Sequence, residues 1–259
     1  MSDKRPFPLH TGVAEVVAVE QLSPRMRRVR FASERFGAGF GVEQPGEVIT
    51  LGWPPVDAGG PAPPQSGFGG KWKWVLKSSV GTEHWRNFTV RAHHPAAAAI
   101  DVDLFAHGDV GRFSSWADTA KAGDRLAFAG PRIDWSPSPD AAWTLLVADE
   151  TGLPALQAAV EVLPAGHRAF AVVEVAGPEE ERPVGSRADV TWTWAHRGDA
   201  PPGTTTRLRD AVLALSLSHG DGQVWGGAES TAMRDIRRAL QGRPEPPSMA
   251  MRGYWKRKG

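Results

Sequence analysis

A stretch without periodic pattern, residues 131–142, separates two kinds of sequence and constrains the fold most. Before it, short segments alternate apolar and polar residues, as strands of an antiparallel sheet do. After it, continuous apolar runs alternate with segments of helical periodicity, which is typical of a parallel sheet covered by helices. The stretch itself contains three prolines. We therefore predict two domains, residues 1–132 and 143–259.

The sequence before this stretch predicts an antiparallel β-barrel. Residues 12–31 alternate apolar and polar side chains on both sides of Ser23 and Pro24, which indicates two strands joined by a turn. Residues 54–70 are dense in proline and glycine and are predicted to form a surface loop. Further strands are predicted at 47–52, 87–92, 100–106 and 124–130, with one short helix at 113–120. Short strands with one small helix suit a closed antiparallel sheet.

The sequence after it predicts a three-layer α/β domain with a mostly parallel sheet. Residues 143–148 are apolar almost throughout, as in a strand that is covered on both faces. Thr151 is predicted to cap the next helix, and Pro154 lies in the first turn, where a missing N–H costs nothing. Strands are predicted at 168–176, 189–194 and 223–225, and helices at 207–215 and 229–240.

Charge and cysteine content exclude several classes of function. The 30 lysines and arginines nearly balance 29 acids, so the chain lacks the excess positive charge of nucleic-acid-binding proteins. Because there is no cysteine, cysteine-ligated iron–sulfur and zinc sites are excluded, and a redox cofactor must be organic. The histidines are scattered along the chain, so no protein metal site is expected. No apolar run is long enough to span a bilayer, which predicts a cytoplasmic protein without membrane insertion.

The hexapeptide RNFTVR at residues 86–91 carries the residue types of a flavin site. On a strand, Arg86 and Phe88 share one face, while Thr89 and Arg91 lie on the other. The arginines suit a pyrophosphate, the ring suits a flat isoalloxazine, and the hydroxyl suits its polar edge. An exposed strand with solvated arginines explains the same residue types equally well.

A second candidate is the loop HGDVG, residues 107–111, between a predicted strand and a predicted helix. Gly108 and Gly111 let backbone amides approach a phosphate, and Ser114 adds a hydroxyl donor. An ordinary glycine turn, with His107 in a structural hydrogen bond, is the alternative.

A third candidate follows the first strand of the second domain. Asp149, Glu150 and Thr151 come at its carboxyl end, where open α/β sheets place ligands. No G-x-G-x-x-G occurs there, which argues against an ordinary dinucleotide-binding dehydrogenase. A solvated turn is the alternative, and the better one for Glu150.

The motif WGGAE offers a fourth candidate. Gly226 and Gly227 form a predicted turn before a helix that begins near Glu229, so a phosphate or ribose of NAD(P)H could bind there. The three arginines of that helix are predicted to form a solvated face, although one of them would suit a 2′-phosphate.

The segment RGYWKRK at residues 252–258 sets Tyr254 and Trp255 beside four cations. A frayed basic tail is the alternative to a functional role. Lys73 lies in a similar stretch, KWKW, which could add charge before the flavin strand, and a plain edge strand is the alternative there.

Five segments, in order, closely resemble the siderophore-interacting protein family of FAD-dependent ferric-siderophore reductases, within the ferredoxin reductase superfamily. They are RNFTVR, HGDVGRFSSWA, ADETGLPAL, WGGAESTAMRDIRRAL and RGYWKRKG. The resemblance spans most of residues 86–259. It implies a ferredoxin-reductase-like fold, with an N-terminal antiparallel β-barrel that binds flavin and a C-terminal three-layer α/β domain that binds NAD(P)H.

The resemblance implies that Arg86 binds the FAD phosphates, that Phe88 stacks on the isoalloxazine and that Thr89 contacts its polar edge. The family pattern has tyrosine where Phe88 stands, so a hydroxyl is lost, and proline where Arg112 stands, so the loop shape is less certain. The implied FAD-binding residues are Arg86, Phe88, Thr89, Arg91, His107, Gly108, Gly111, Ser114, Trp116, Thr151, Tyr254 and Trp255.

The resemblance also brings the turn at residues 149–152 against flavin and nicotinamide, and the 252–258 segment over the flavin, where cations attract anionic ferric chelates. The implied NAD(P)H-binding residues are Asp149, Glu150, Thr151, Gly226, Gly227 and Glu229. The implied substrate-binding residues are Lys73, Arg252, Lys256 and Arg257. No side chain is expected to be catalytic, because the chemistry belongs to the flavin.

The implied function is electron transfer from NAD(P)H through FAD to a ferric siderophore or another anionic ferric chelate, with release of Fe(II). NADPH is slightly favoured over NADH, although no residue decides it, and a monomer is compatible with this function. Two alternatives stay open. One is an NAD(P)H-dependent reductase of free flavins or quinones. The other is a flavin-free siderophore-binding carrier, which the departures at Phe88 and Arg112 keep open.

Overall fold

The chain divides into two compact units, Met1–Asp134 and Trp135–Gly259. The computed structural model describes residues 10–42, 46–53, 85–106, 112–138, 140–217, 220–242 and 247–257. Among these residues, no helix is long and apolar enough to cross a membrane.

The described part of the first unit is one antiparallel sheet and a short α-helix. Its strands are β1 (His10–Ser23), β2 (Met26–Ala32), β3 (Val48–Gly52), β4 (Trp85–Thr89), β5 (Ala92–His94), β6 (Ala99–Phe105) and β7 (Arg125–Arg132), and the helix is α1 (Arg112–Thr119). The strands are hydrogen-bonded in the order β4-β3-β7-β1-β2-β6-β5. The single strand predicted at 87–92 is interrupted, since β4 ends at Thr89 and β5 begins at Ala92.

The two outermost strands of this order, β4 and β5, are consecutive in the chain. Only Val90 and Arg91 separate them. The Val90 amide donates to the Glu47 carbonyl at 2.7 Å, and the Arg91 amide donates to the Asp101 carbonyl at 2.8 Å. A sheet whose opposite edges are joined by two residues must curl until those edges meet, which confirms the predicted antiparallel barrel.

Alternating apolar residues of the strands fill the barrel. Phe31 of β2 and Phe128 of β7 have no exposed surface, and neither has Phe36, which follows β2. The rings of Phe36 and Phe128 lie 4.6 Å apart between centroids. Full burial of such a side chain stabilises a fold by roughly 1.5–3 kcal/mol, so the period-two pattern specifies the inside of the barrel.

The second unit is a parallel sheet with helices on both faces. In chain order its elements are β8 (Trp143–Asp149), α2 (Leu153–Val162), β9 (Arg168–Val175), β10 (Asp189–His196), α3 (Arg207–Leu213), β11 (Gly222–Glu229), α4 (Ser230–Gln241) and β12 (Ser248–Trp255). The strands are all parallel and lie in the order β10-β9-β8-β11-β12.

Two neighbours in β8 show the layering of this unit. Leu145 packs in a core with Leu208 of α3 and Ile236 of α4. Leu146 points to the opposite face and packs with Leu153 and Leu156 of α2. Both leucines have no exposed surface, which confirms the predicted three-layer α/β domain.

The cap predicted for α2 is wrong. Gly152, not Thr151, stands at the N-cap position, and no side chain bonds the first amides of the helix. The Thr151 hydroxyl donates instead to Oδ1 of Asp149 at 2.5 Å, because that carboxylate lies across the turn. Pro154 does lie in the first turn, as predicted.

The glycine turn predicted at Gly226 and Gly227 is also wrong, because both residues lie within β11. A Cβ on Gly226 would lie 2.8 Å from the Met233 sulfur, and one on Gly227 would lie 2.9 Å from Cζ of Tyr254. The glycines therefore let α4 and β12 pack closely on the strand rather than bend the chain. Residues 252–255 are likewise not frayed, since they complete β12 beside β11.

Candidate functional site

The carboxyl ends of β8 and β11 define the ligand-binding edge of the second unit. From β8 the chain passes to β9 on one side of the sheet, while β11 lies on the other side. Open α/β sheets bind ligands outside the carboxyl ends of the strands at such a reversal. We call the end of β8 (residues 149–152), the end of β11 (residues 227–229) and Trp255 the switch-point edge.

The backbones of Gly152 and Gly227 approach closely at this edge. A Cβ on Gly152 would lie 1.9 Å from the carbonyl oxygen of Gly227. Gly152 has ordinary helical dihedral angles, so the requirement for glycine is one of space. The turn after β8 is thereby held against β11.

Asp149 joins three segments of the switch-point edge through its carboxylate. Oδ1 accepts hydrogen bonds from the amide and the hydroxyl of Thr151, at 2.9 and 2.5 Å. Oδ2 accepts from the Glu229 amide at 3.1 Å and from the Trp255 indole N–H at 2.7 Å. Burial raises the pKa of this carboxyl, although the hydrogen bonds from Thr151 and Trp255 oppose the rise.

Glu150 is buried rather than solvated, so the turn alternative favoured for it is wrong. Its carboxyl accepts from the Ala176 amide at 3.1 Å and pairs with Nη1 of Arg197 at 2.5 Å. The side chains of Glu150 and Arg197 are 3% and 0% exposed. Burial raises the pKa of Glu150 from 4.5 to about 7, since the loss of water outweighs the attraction of Arg197.

This raised pKa makes the stability of the second unit depend on pH. Between pH 4.5 and about 7 the folded chain holds a proton at Glu150 that the unfolded chain releases, so this contribution to stability falls as pH rises. We expect the free energy of unfolding, wild type minus Glu150→Gln, to fall by about 3 kcal/mol across this window and to be flat above it. Urea unfolding at stepped pH measures the difference.

Glu179→Gln, which changes an exposed carboxyl of the same unit, is the matched control and should leave the pH profile unchanged. A wild-type minus Glu150→Gln difference that rises with pH would contradict the raised pKa.

Glu229 caps α4 with its own side chain. Its Oε2 accepts from the amides of Thr231 and Ala232, at 2.5 and 3.1 Å. Its Oε1 accepts from the Arg257 amide at 3.4 Å. The amides that would bind a phosphate at this helix start therefore bond Glu229.

The 252–257 segment presents its charged side chains from an ordered strand. The Ser230 hydroxyl donates to the Trp255 carbonyl at 2.7 Å, and Arg237 donates to the Met251 carbonyl. Tyr254, the only tyrosine of the chain, is 37% exposed and stands nearly perpendicular to Trp225, with 6.1 Å between ring centroids. The remaining predicted residues of the segment, Arg252, Lys256 and Arg257, are exposed.

In the first unit, β4 carries the predicted flavin residues. Arg86 is exposed, Phe88 is half-buried, and Thr89 is buried. Arg86 and Phe88 alternate with Asn87, whose side chain accepts from the Thr50 hydroxyl at 2.8 Å. A cation and a partly exposed ring thus follow one another on the same face of the strand, as a phosphate and a flat ring require.

Phe88 belongs to an aromatic cluster that includes Trp53 and Phe113, two residues that the sequence did not predict as part of the site. The Phe113 ring lies 5.0 Å from Phe88 and 4.4 Å from Trp53, between centroids. Trp116 closes the cluster and donates its indole N–H to Asp124 at 3.0 Å. The spacing of 113 and 116 on a helix was the available signal for Phe113.

The remaining predicted site residues divide into two groups. Ser114 is buried on α1, and Arg91 is half-buried beyond β4. His107, Gly108, Gly111 and Lys73 lie outside the described residues. The structure brings Asp149, Thr151, Glu229 and Trp255 together in the second unit and connects Phe88 with Trp116 through Phe113 in the first.

A closed antiparallel barrel followed by a parallel α/β unit forms the ferredoxin-reductase-like fold, which a solved ferredoxin reductase shares with a TM-score of 0.65. Residues 15–135 match the family model of the siderophore-interacting FAD-binding domain, and residues 141–258 match that of siderophore-interacting proteins. The chain belongs to the siderophore-interacting protein family.

Individual relatives agree with this membership. A solved siderophore utilization protein from T. fusca is 31% identical with a TM-score of 0.81, and the alignment covers 98% of this chain and 95% of that one. An uncharacterized protein of Mycobacterium tuberculosis is 34% identical over 183 residues, which are 66% of this chain. The match spans 65% of that relative's length. The NADPH-dependent ferric-chelate reductase of Escherichia coli is 45% identical over 25% of each chain.

Proposed function

We propose that the protein is an FAD-dependent reductase that moves electrons from NAD(P)H to a ferric siderophore and thereby releases Fe(II). The observation that carries the proposal is the ordered, cationic 252–257 segment. Arg252, Lys256 and Arg257 are exposed on or just after β12, and Trp255 between them is bonded to Asp149 at the switch-point edge. Positive charge is thus fixed beside the edge where α/β sheets bind ligands. The name of the Escherichia coli relative supports the reaction type.

FAD is proposed to bind the first unit along β4. When bound, it accepts electrons in pairs and releases them singly, which is the chemistry needed between a nicotinamide and iron. The exposed Arg86 offers a cation to a phosphate, and the half-buried Phe88 offers a flat apolar surface to the ring. These described residues fit the group, and the match of residues 15–135 to an FAD-binding domain supports the assignment.

NAD(P)H is proposed to bind at the switch-point edge. Asp149, Glu150 and Glu229 direct their carboxylates to protein donors, so they shape this edge from within the protein. Of the predicted nucleotide-binding residues, Thr151 is half-buried, and its hydroxyl oxygen, which donates to Asp149, can still accept a hydrogen bond from the nucleotide. NADPH rather than NADH as donor stays a prediction, as do the monomeric state and the cytoplasmic location.

The exposed cations of the 252–257 segment are proposed to attract the anionic ferric chelate. Charges act over about 10 Å at 0.1 M salt, so the fixed cations raise the local concentration of an anion near the edge. The rate of chelate reduction should therefore fall as ionic strength rises. Reduction of a neutral acceptor should not depend on salt in this way.

The proposal is tested first by the visible absorption of the purified protein, before and after addition of FAD. Flavin bands are expected, and a protein that stays colourless with added FAD would favour a flavin-free carrier. Turnover with NADPH and NADH is then compared on ferric citrate, a ferric trihydroxamate and free FMN. Loss of the reduced-nicotinamide absorbance is followed for all three acceptors, and an Fe(II)-specific chromophore is added for the two ferric chelates. Reduction of FMN alone would favour the flavin reductase.

A matched pair of variants tests the role of the cations. Lys256→Gln together with Arg257→Gln should raise the KM for ferric citrate and weaken its dependence on salt. Arg187→Gln removes an exposed cation just before β10, at the opposite end of the sheet, and should change neither. Equal effects of the two changes would contradict a local role for the 252–257 segment.

A further inference from the structure

The Asp149 carboxylate is almost enclosed by protein donors. The residue is 7% exposed, and each carboxylate oxygen accepts two hydrogen bonds. The donors come from three places: the turn after β8, the end of β11 and the end of β12. Ionised carboxyl oxygens accept hydrogen bonds and donate none, so four donors from the protein satisfy most of their capacity. A nucleotide would find little of this group to contact.

The bond from Asp149 to Trp255 reaches the middle of the cationic segment. The indole N–H lies 2.7 Å from Oδ2, and the Trp255 ring packs beside Gly203, where a Cβ would lie 2.9 Å from Cη2. Gly203 has a φ of 70°, which favours glycine, so the loop that carries it closes over the ring. The ring is therefore held from two sides, and its neighbours Tyr254 and Lys256 are oriented with it.

The backbone pairing between β12 and β11 is interrupted within the 252–257 segment. Ala228 of β11 pairs with Gly253 of β12, but the next residue, Glu229, pairs with Trp255. Tyr254 is thus skipped, and the regular ladder is interrupted just before Trp255. Beyond the interruption, where Glu229 pairs with Trp255, three side chains add hydrogen bonds to the segment: Ser230 at the Trp255 carbonyl, Glu229 at the Arg257 amide, and Asp149 at the indole. Of these three, only Asp149 bonds a side chain of the segment.

We infer that Asp149 is a positioning residue, which sets Trp255 and through it the cations of the 252–257 segment for the ferric chelate, rather than a ligand of the nicotinamide nucleotide. This inference rests on the proposed function for its substrate. Its structural part, that Asp149 fixes the segment, stands on the hydrogen bonds alone.

The test compares Asp149→Asn, Trp255→Phe and the double variant in the full chain loaded with FAD. Asparagine turns one acceptor into a donor that faces N–H groups, while phenylalanine keeps a ring and removes the indole donor. Hydrogen exchange should rise in a peptide covering residues 248–257 in each variant. The KM for ferric citrate should rise about tenfold relative to the KM for NADPH, as expected for a lost hydrogen bond to a charged group.

Because both changes break the same bond, the double variant should be no worse than the more affected single variant. Asp189→Asn, an exposed aspartate at the start of β10, is the matched control. If Asp149→Asn does not fold, Trp255→Phe alone must give both the exchange and the KM result.

Unchanged exchange at residues 248–257, or a KM that rises for NADPH rather than for ferric citrate, would overturn the inference in favour of a nucleotide contact. A wild type that reduces no ferric chelate would remove the proposed function instead. The exchange measurement would then still decide whether Asp149 holds the segment.

Discussion

Replacing Arg197 by methionine is expected to lower the free energy of unfolding of the second unit by about 3–5 kcal/mol at pH 8. The guanidinium is fully buried and pairs with the buried carboxyl of Glu150. Without it, the pKa of Glu150 rises further, because burial and the neighbouring Asp149 then act without an opposing cation. At pH 8 the folded chain must either hold this carboxyl charged without a partner or take up a proton there, and both cost free energy. Urea unfolding followed by hydrogen exchange in β8–β10 reads the second unit separately from the first.

Two controls define this result. Arg209→Met removes one partner of an exposed ion pair, with Asp210 at 3.0 Å, and should cost no more than about 1 kcal/mol. The double change Arg197→Met with Glu150→Met should recover much of the loss, since no buried charge is then left unpaired. A loss for Arg197→Met no larger than that for Arg209→Met would show that the buried pair is not needed.

The change Gly152→Ala is expected to cost at least about 3 kcal/mol and to spread the switch-point edge. The new methyl group would lie 1.9 Å from the Gly227 carbonyl oxygen and 2.8 Å from its carbon. Both atoms belong to the backbone of a strand that is paired on both sides, so they cannot move aside as a flexible side chain can. Denaturant unfolding measures the loss, and faster exchange in residues 149–152 locates it.

Gly185→Ala is the matched control, because a Cβ there meets nothing within 4 Å. Its effect should be near zero or slightly stabilising, since alanine restricts the unfolded chain. If Gly152→Ala were as stable as Gly185→Ala, the close contact between Gly152 and Gly227 would be wrong.

The two architectures could be predicted because each depends on a local pattern. Period-two alternation from Gly12 to Phe31 fixes which side chains enter the barrel, and the apolar residues from Trp143 to Ala148 mark a strand covered on both faces. Both patterns concern burial, which a sequence displays directly. The layers of the fold followed from them.

What the sequence did not display were contacts between distant residues. Arg197 looks like any loop arginine until the fold brings it 2.5 Å from Glu150, 47 positions earlier. Gly226 and Gly227 suggest a turn locally, but the packing of Met233 and Tyr254 on them keeps the strand straight. Thr151 can cap a helix in isolation, yet a nearby carboxylate takes its hydroxyl.

For the candidate site, the sequence predicted which residues take part but not the contacts between them. Residue types and order selected Asp149, Glu229 and Trp255 without indicating that they bond one another. The aromatic cluster around Phe113 depends on packing between β4 and α1, which no local motif encodes. Motifs thus indicated which residues matter, and the fold was needed to show how they are connected.

The direct connection between the two outermost strands of the barrel, β4 and β5, has a consequence for self-association. An exposed sheet edge is a template on which another chain can add a strand, and proteins differ in how they protect it. In the first unit the two outermost strands, β4 and β5, have only 5 and 3 residues and continue into one another through Val90 and Arg91, so neither presents a long, straight edge. The second unit keeps two outermost strands, β10 and β12, and β12 ends in exposed cations. Conditions that neutralise those cations should therefore promote aggregation through the second unit before the first.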